Sequence, residues 1–414
     1  MYSYQKYLND IVNRNKENFS DFTDIKWLNG SLADKANRKR EKLLMELNNN
    51  ILFKETKPFY KQISKGCKLC GEGKWSCLFI TGKCNAACFY CPASQLKDEV
   101  PTSQNLEFET ADAYAEYINY FNFKGVSFSG GEPLLYFDRT LEYLQKVREN
   151  CNPDIYTWMY TNGILSDVEK FNKLADAGLN EIRFDIGATK YTLDNVRKAK
   201  GIIPNVTIEI PAVPEEKEKI KLLLPEMINA GVTNLNLHQL RLTKHNAPKL
   251  LKHKYTYIHA EQPIVLESEL AALEIMAYSK QQKLGIGINY CSFFFKNRFQ
   301  KAGFRNQLAG EFANAKDEIT EKGMIREYNG KSIAYKATVI SDNETRTPNQ
   351  FVLQLKHKKY FTGRETALEK INLNTDQQKS VKDYLTENSD SIPDDPLLFK
   401  IWQMEKIEKG LREY

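Results

Sequence analysis

Three cysteines lie within eight positions of this sequence, at Cys84, Cys88 and Cys91. Thiolates spaced in this way on a flexible loop can all bind one soft metal centre, and Pro92 prevents the loop from continuing as a regular helix. The candidate centres are a zinc ion and an iron–sulfur cluster. Three ligands with one open position favour a four-iron cluster, because its fourth iron can bind a substrate or a cofactor.

A second cysteine pair, Cys67 and Cys70, lies just upstream of this loop. Its spacing from the last two loop cysteines falls within the range of four-cysteine zinc sites, so spacing alone leaves zinc open. Such a zinc site would give Cys84 no role, and the four-iron cluster fits better. Six of the eight cysteines lie between positions 67 and 91, which favours metal binding over structural disulfides.

The composition is that of an ordinary globular protein, with 42% hydrophobic and 27% charged residues. No stretch reaches the roughly 18 to 20 apolar residues of a membrane span, and the N-terminus lacks the pattern of a signal peptide. We therefore expect a cytoplasmic protein without a membrane partner. The net charge of +6 permits an acidic or nucleic-acid partner without predicting one.

The elements that must position the cysteine loop follow from the periodicity of the chain. Residues 1–74 are predicted to form a helical segment that carries the CxxC pair. In residues 75–295, short apolar runs such as CLFITG and GVSFSG alternate with helical stretches, which predicts an α/β fold, a partial (β/α)6-type barrel. Residues 296–414 are predicted as a small α+β extension that caps the barrel or binds substrate.

A second motif follows the second predicted strand, which ends in Gly130, Gly131, Glu132 and Pro133. Two glycines let a ligand approach the backbone closely and leave amide N–H groups unshielded. Glu132 adds a hydrogen-bond acceptor beside them. A Gly-Gly turn alone is weak evidence, but this one follows a strand expected beside the cysteine loop.

The cysteine loop, with an aromatic residue before its third cysteine, and the later GGE turn together resemble the radical S-adenosylmethionine (radical SAM) superfamily. The resemblance covers residues 75–292. It implies that Cys84, Cys88 and Cys91 hold a [4Fe–4S] cluster whose fourth iron is chelated by SAM. It also implies an electron donor of ferredoxin or flavodoxin type and a 5′-deoxyadenosyl radical that abstracts hydrogen from a substrate.

Carried over to the cofactor, the resemblance places Tyr90 near the adenine, and Gly130, Gly131 and Glu132 at the methionyl ammonium. Asn162, in the YTNG stretch that ends the third strand, either reaches the cofactor or is a turn asparagine.

Three polar residues end later strands. Asp185 stands where many relatives have a polar residue that faces the ribose or carboxylate of SAM. Glu209 and His238 lie late in otherwise apolar strands, which is typical of residues that line a site, although a structural histidine is an equal alternative.

A closer resemblance is to proteins related to pyruvate formate-lyase activating enzymes, a grouping that implies no particular reaction. It depends on four stretches, Gly66–Cys70, Cys88–Pro92, Glu209–Pro214 and Asn289–Lys296. A peptide or protein is the first expectation for the substrate.

Two alternative functions stay open. An RNA-modifying enzyme would use the basic run Lys356–Lys359 with Tyr360 and Phe361 for phosphate and stacking contacts. A non-enzymatic zinc or iron–sulfur binding module would leave the barrel and the GGE turn without a role.

Cys67, Cys70 and Cys291 are predicted to form a second metal centre. Cys291 follows in the last barrel strand, and strand ends on one face of a barrel converge. This centre would hold a second iron–sulfur cluster or a zinc ion. We expect Cys151 to be a structural thiol. Cys77, at the start of the strand CLFITG, is either a structural thiol, which we favour, or the fourth ligand of this centre.

Overall fold

The computed structural model describes residues 2–104, 106–342, 350–355 and 358–406, with side chains described except at Tyr2 and residues 350–360. Within these residues, seven parallel strands form the centre of one large sheet and lie side by side in chain order. The strands are β1 Trp75–Thr81, β2 Gly125–Gly130, β3 Tyr156–Thr161, β4 Glu181–Phe184, β5 Asn205–Pro211, β6 Val232–His238 and β7 Gly287–Cys291. The predicted α/β barrel is confirmed.

The sheet is open, because β1 and β7 do not pair with each other. The outer edge of each pairs instead with a short antiparallel strand. These and the remaining short strands are Lys26–Trp27, Ile51–Leu52, Lys57–Tyr60, Thr102–Ser103, Leu106–Glu107, Thr256–Ile258 and Ile264–Val265. Lys57–Tyr60 pairs with β7, so the N-terminal segment extends the central sheet.

Helices connect the parallel strands, as parallel pairing requires. The α-helices are α1 Tyr2–Asn18, α2 Gly30–Glu46, α3 Lys65–Gly71, α4 Ala111–Tyr120, α5 Phe137–Asn150, α6 Val168–Asp176, α7 Asp194–Arg197, α8 Lys217–Asn229, α9 Ala247–Leu250, α10 Leu266–Gln281, α11 Phe293–Phe295, α12 Ala302–Gly310, α13 Thr375–Glu387 and α14 Pro396–Glu405. Short 3₁₀ turns span Pro133–Tyr136, Ile186–Thr189 and Pro214–Glu216, and a π-helical turn spans Lys296–Lys301.

Side chains alternate between the two faces of the parallel strands. Along β4, Ile182 and Phe184 join the main apolar core, whereas Glu181 and Arg183 take part in a polar network within the barrel. The helix α3 packs against this inner side, where Leu69 contacts Trp158 of β3. The barrel interior is therefore polar and is partly filled by the helix that carries the CxxC pair.

The C-terminal part forms an antiparallel sheet followed by α13 and α14. Its strands are β8 Glu318–Ile319, β9 Ile325–Tyr328, β10 Ser332–Ser341, β11 Gln350–Leu355 and β12 Lys358–Asn372, in the order β8-β9-β10-β12-β11. Phe361 of β12 is buried and packs edge-on against Phe108, so it cannot serve as the base-stacking platform that the RNA hypothesis requires. The side chains of Lys356–Lys359 and Tyr360 lie outside the described residues. Across the described part of the chain, no helix has the length and apolar character needed to cross a membrane.

Candidate active site

A cavity of about 650 Å³ opens at the carboxyl ends of the parallel strands, where a barrel fold places its working residues. The three loop cysteines line it together with every predicted cofactor-binding residue except Glu132. Those lining residues are Cys84, Cys88, Cys91, Tyr90, Gly130, Gly131, Asn162, Asp185, Glu209 and His238. The strand order thus brings together residues that are more than 150 positions apart in the sequence.

The cysteine loop is fixed by backbone contacts at both ends. Cys84 N–H donates to the carbonyl of Gln95 at 3.1 Å, and Thr243 Oγ1 donates to the carbonyl of Pro92 at 3.0 Å. The three thiols are free and half-buried on the cavity wall, and this donor set suits an iron–sulfur cluster. Among the described residues, no three His, Cys, Asp or Glu side chains lie close enough together to hold a metal ion as they stand. The three loop thiols are thus the right ligand type for a cluster but are not drawn together around one point.

The Gly-Gly turn lies directly against the backbone that enters the cysteine loop. Gly131 N–H donates to the carbonyl of Thr81 at 2.7 Å, and Gly130 has a φ of +121°, where a side chain is strained. A Cβ atom at Gly131 would overlap the carbonyl oxygen of Lys83. Both glycines are therefore required by backbone packing as well as by the predicted approach of a ligand.

Glu132 lies in a different place from the predicted one. Its side chain is fully buried and does not line the cavity. Oε1 accepts hydrogen bonds from Leu134 N–H at 2.9 Å and Thr161 Oγ1 at 2.8 Å, and Oε2 accepts from Asn162 N–H at 2.7 Å. Burial raises the pKa of this carboxyl despite these bonds. The carboxylate joins the end of β2 to the end of β3 and acts here as a positioning residue.

Asn162 has the contacts of a turn asparagine, and whether it reaches the cofactor stays a prediction. Its Oδ1 accepts from Ile164 N–H at 2.9 Å, as in a turn asparagine. Its Nδ2 donates to Asn85 Oδ1 at 2.7 Å and lies 3.5 Å from Cys84 Sγ, so the side chain also reaches the cysteine loop.

Asp185 holds the tyrosine of the cysteine loop. The Tyr90 hydroxyl lies 2.9 and 3.0 Å from the two carboxylate oxygens, and Gly187 N–H donates to Oδ1 at 3.0 Å. Burial raises the pKa of Asp185 to about 6, although these bonds oppose the shift. The pair fixes the Tyr90 ring at the cavity wall.

Arg183 lines the cavity and forms ion pairs with two carboxylates. Although it shares a strand face with Asp185, it pairs with Glu181 at 2.9 Å and with Glu209 at 2.8 Å. Burial alone would raise the pKa of Glu209, but Arg183 and His238 hold it well below its ordinary value. The contact between Arg183 and Glu209 could not be predicted from the sequence, because the two residues come from adjacent strands.

His238 lies between Glu209 and a lysine that the sequence analysis did not select. Its Nε2 contacts Glu209 Oε1, and its Nδ1 lies 2.8 Å from Lys296 Nζ. Since an ammonium can only donate, Nδ1 accepts and the Nε2–H donates to Glu209. Burial, together with the Lys296 charge, lowers the pKa of His238 to about 4, so the ring is neutral at pH 7. The only signal for Lys296 was its place at the end of the resembling stretch Asn289–Lys296.

The cysteines of the predicted second centre lie outside the cavity lining. Cys67 and Cys291 are buried, and the Sγ of Cys291 lies 2.6 Å from the ammonium of Lys57, which the sequence analysis also missed. Burial raises the pKa of Cys67 and of Cys70, and a charge on Cys291 would raise both further. The structure thus places the three thiols in one electrostatic neighbourhood.

Comparison with known proteins places the chain in an enzyme class. Residues 78–224 match the model of the Radical SAM superfamily. A protein of Methanocaldococcus jannaschii named as a glycyl-radical enzyme activating enzyme is 29% identical over 282 residues, which cover 64% of this chain and 73% of that protein. A protein of Methanococcus maripaludis named as a GTP 3′,8-cyclase is 31% identical over 169 residues, which cover 40% of this chain and 49% of its own length.

Among solved structures, that of Streptococcus suis SuiB bound to the precursor peptide SuiA aligns with a TM-score of 0.40 at 16% identity, over 60% of this chain and 57% of SuiB. The superfamily match covers the strands and loops that carry the cysteines and the Gly-Gly turn. Residues 78–224 of the chain form a radical SAM domain, and the chain is similar to enzymes of this class, whose cofactors are SAM and a [4Fe–4S] cluster.

Proposed function

We propose that this enzyme cleaves SAM reductively and removes a hydrogen atom from a peptide or protein substrate. The observation that carries the proposal is that the three loop thiols and the Gly-Gly turn face one cavity, which continues to the polar barrel interior. One part of this cavity can thus hold the cofactors while the rest receives a substrate.

The chain's own residues bind and orient. Cys84, Cys88 and Cys91 hold the cluster, and Gly130 and Gly131 keep the turn close to the backbone of the cysteine loop. Reduced by a donor of ferredoxin or flavodoxin type, the cluster and SAM together supply the 5′-deoxyadenosyl radical that takes the substrate hydrogen.

Three residues that line the cavity support a role for the C-terminal extension. Lys296, Gln300 and Lys301, at the start of that extension, line the cavity. This supports an extension, beginning at residue 296, that closes the barrel or contacts substrate. The name of the Methanocaldococcus jannaschii relative favours a protein substrate. No observation on the described residues favours RNA.

The test is anaerobic reconstitution of the full chain with iron and sulfide, followed by reaction with SAM and dithionite. We expect a brown protein that produces 5′-deoxyadenosine and methionine. A colourless protein that binds zinc and leaves SAM intact would contradict the proposal.

We propose in addition that Cys67, Cys70 and Cys291 bind a second iron–sulfur cluster or a zinc ion. Burial raises the pKa of Cys67 and of Cys70, and the charges of Lys57, Arg183 and Lys296 act on the group of thiols that includes Cys291. A bound metal would stabilise the thiolate forms.

The second centre is tested by counting iron, sulfide and zinc in the reconstituted chain. Two four-iron clusters give about eight irons, and Cys67→Ala or Cys291→Ala should leave about four. Cys151→Ala, which removes a thiol bonded only to the Ala115 carbonyl among the described residues, is the matched control and should change nothing. Four irons without zinc in the wild type, unchanged by either substitution, would exclude the second centre.

A further inference from the structure

Two cations line the cavity, Arg241 after β6 and Lys296 after β7. In the part of the chain that the structure describes, no carboxylate oxygen lies within 4.0 Å of either charged group. The other two cations of the cavity, Arg183 and Lys301, both have carboxylate partners.

The contacts of the two cations leave most of their donors unused. Lys296 Nζ contacts His238 Nδ1 at 2.8 Å, and the ammonium lies 5.0 Å from the centroid of the Phe293 ring. The Arg241 guanidinium lies 4.9 Å from the same ring, and within the described residues its side chain makes no hydrogen bond. The aromatic ring thus holds two cations at the cavity wall without satisfying their N–H groups.

The acidic residues nearby are already engaged. Glu209 is bound by Arg183, Asn236 and His238, and Asp185 is bound by Tyr90. Glu261, whose charge acts on Arg241 from beyond 4.0 Å, pairs instead with Lys301 at 3.3 Å. Removing a cation from water without a counter-charge is costly, and burial lowers the pKa of both Lys296 and Arg241 accordingly. An anion in the cavity would remove this cost.

We propose that Arg241 and Lys296 form a subsite that binds an oxyanion group of the substrate, a carboxylate or a phosphate. A guanidinium binds two oxygens of such a group in a planar fork, and an ammonium adds a point charge. That the anion belongs to the substrate rests on the proposed function.

The test measures anion binding to the reconstituted full chain with saturating SAM, so that the carboxylate of SAM has already taken its own place. Equilibrium dialysis at constant ionic strength is run in two arms, with radiolabelled inorganic phosphate and with radiolabelled succinate. We expect saturable binding of at least one probe. The probe that binds identifies the oxyanion as phosphate or carboxylate.

Arg241→Gln and Lys296→Gln should each lower the association constant about tenfold or more, as loss of a charge-assisted hydrogen bond implies. Lys296→Arg should retain most of the binding. Lys173→Gln is the control, because it removes an exposed cation that lies outside the cavity and is paired with Glu169 at 2.7 Å, and it should change binding less than about threefold.

The proposal is overturned if neither probe binds saturably, or if both Gln variants bind like the wild type. It is also overturned if Arg241→Gln weakens SAM binding tenfold, because the arginine then serves the cofactor. SAM cleavage with dithionite is measured on the same wild-type preparation without a probe. If SAM is not cleaved, the proposed function is contradicted, and the anion-binding measurement can still be interpreted by itself.

Discussion

Arg183 shows at the scale of single residues how the barrel interior tolerates charge. Its buried guanidinium pairs with Glu181 and Glu209 and also donates to Ser64 Oγ at 3.0 Å. Ser64 is the N-cap of α3, where its oxygen accepts from Cys67 N–H. One side chain therefore links two barrel strands to the helix that carries the CxxC pair.

Arg183→Met should lower the free energy of unfolding by about 3 to 5 kcal/mol, because two buried carboxylates lose their cation. Chemical denaturation under anaerobic conditions measures the change. Arg197→Met is the control, since that arginine is half-exposed and pairs with Asp194 at the surface, and it should cost less than about 1 kcal/mol. Equal losses of unfolding free energy in the two variants would show that the buried ion pairs contribute no more to stability than a surface pair.

Glu132→Gln should destabilise the chain by about 1 to 3 kcal/mol, because an amide NH₂ would face a backbone N–H or the Thr161 hydroxyl in a buried position. Unfolding of the variant is compared with that of Glu142→Gln, an exposed residue on α5. Unchanged stability combined with weaker SAM binding would instead return Glu132 to the role predicted from the sequence.

Residue types and spacing were enough to select the candidate site residues that lie in short motifs. The cysteine loop, the Gly-Gly turn, Asn162 and Asp185 all line the cavity, and their contacts to a cluster or to SAM stay predictions. The position of Glu132 could not be predicted, because its bonds depend on how closely β2 and β3 approach each other. Lys57 and Lys296 were missed since a lysine in a polar sequence has no distinguishing pattern until the fold buries it.

At the scale of elements, α12 packs against the loop after α3 through two glycines. Gly73 has a φ of +69°, and a Cβ atom at Gly303 would overlap the Cα atom of Gly73. This close approach joins the start of the C-terminal extension to the N-terminal segment beside β1.

Gly303→Ala should therefore lower stability by about 1 to 3 kcal/mol through overpacking. Gly310→Ala lies in the same helix, where an added Cβ meets no atom within 4 Å, and should be neutral or slightly stabilising. Thermal unfolding of both variants distinguishes the close contact from helix propensity. A stabilised Gly303→Ala variant would mean that the two backbones separate without cost.

The strands were predictable where continuous apolar runs alternate with helical stretches, as in β1 to β7. The strand Lys57–Tyr60 was not, because it begins with a lysine and a proline and reads as a loop until β7 offers it an edge. In the C-terminal extension, Gln350–Leu355 and Lys358–Asn372 form the paired strands β11 and β12.

At the scale of the whole molecule, the two ends of the described chain meet. Phe399 of α14 packs edge-on against Tyr4 and Tyr7 of α1, with ring centroids 6.4 and 6.1 Å apart. Phe361 of the C-terminal sheet joins the main apolar core. The extension is thus packed onto the barrel, which agrees with the cavity being lined in part by Lys296 and Lys301.

The central claim is that the loop cysteines make this cavity a site of SAM cleavage. The most direct measurement compares 5′-deoxyadenosine formation by the wild type, Cys88→Ala and Cys151→Ala after anaerobic reconstitution, with dithionite and SAM. Cys88 lines the cavity, whereas Cys151 follows α5 away from it. We predict activity in the wild type and in Cys151→Ala and none in Cys88→Ala, whose cluster has lost one of three protein ligands. Full turnover in Cys88→Ala would contradict the assignment.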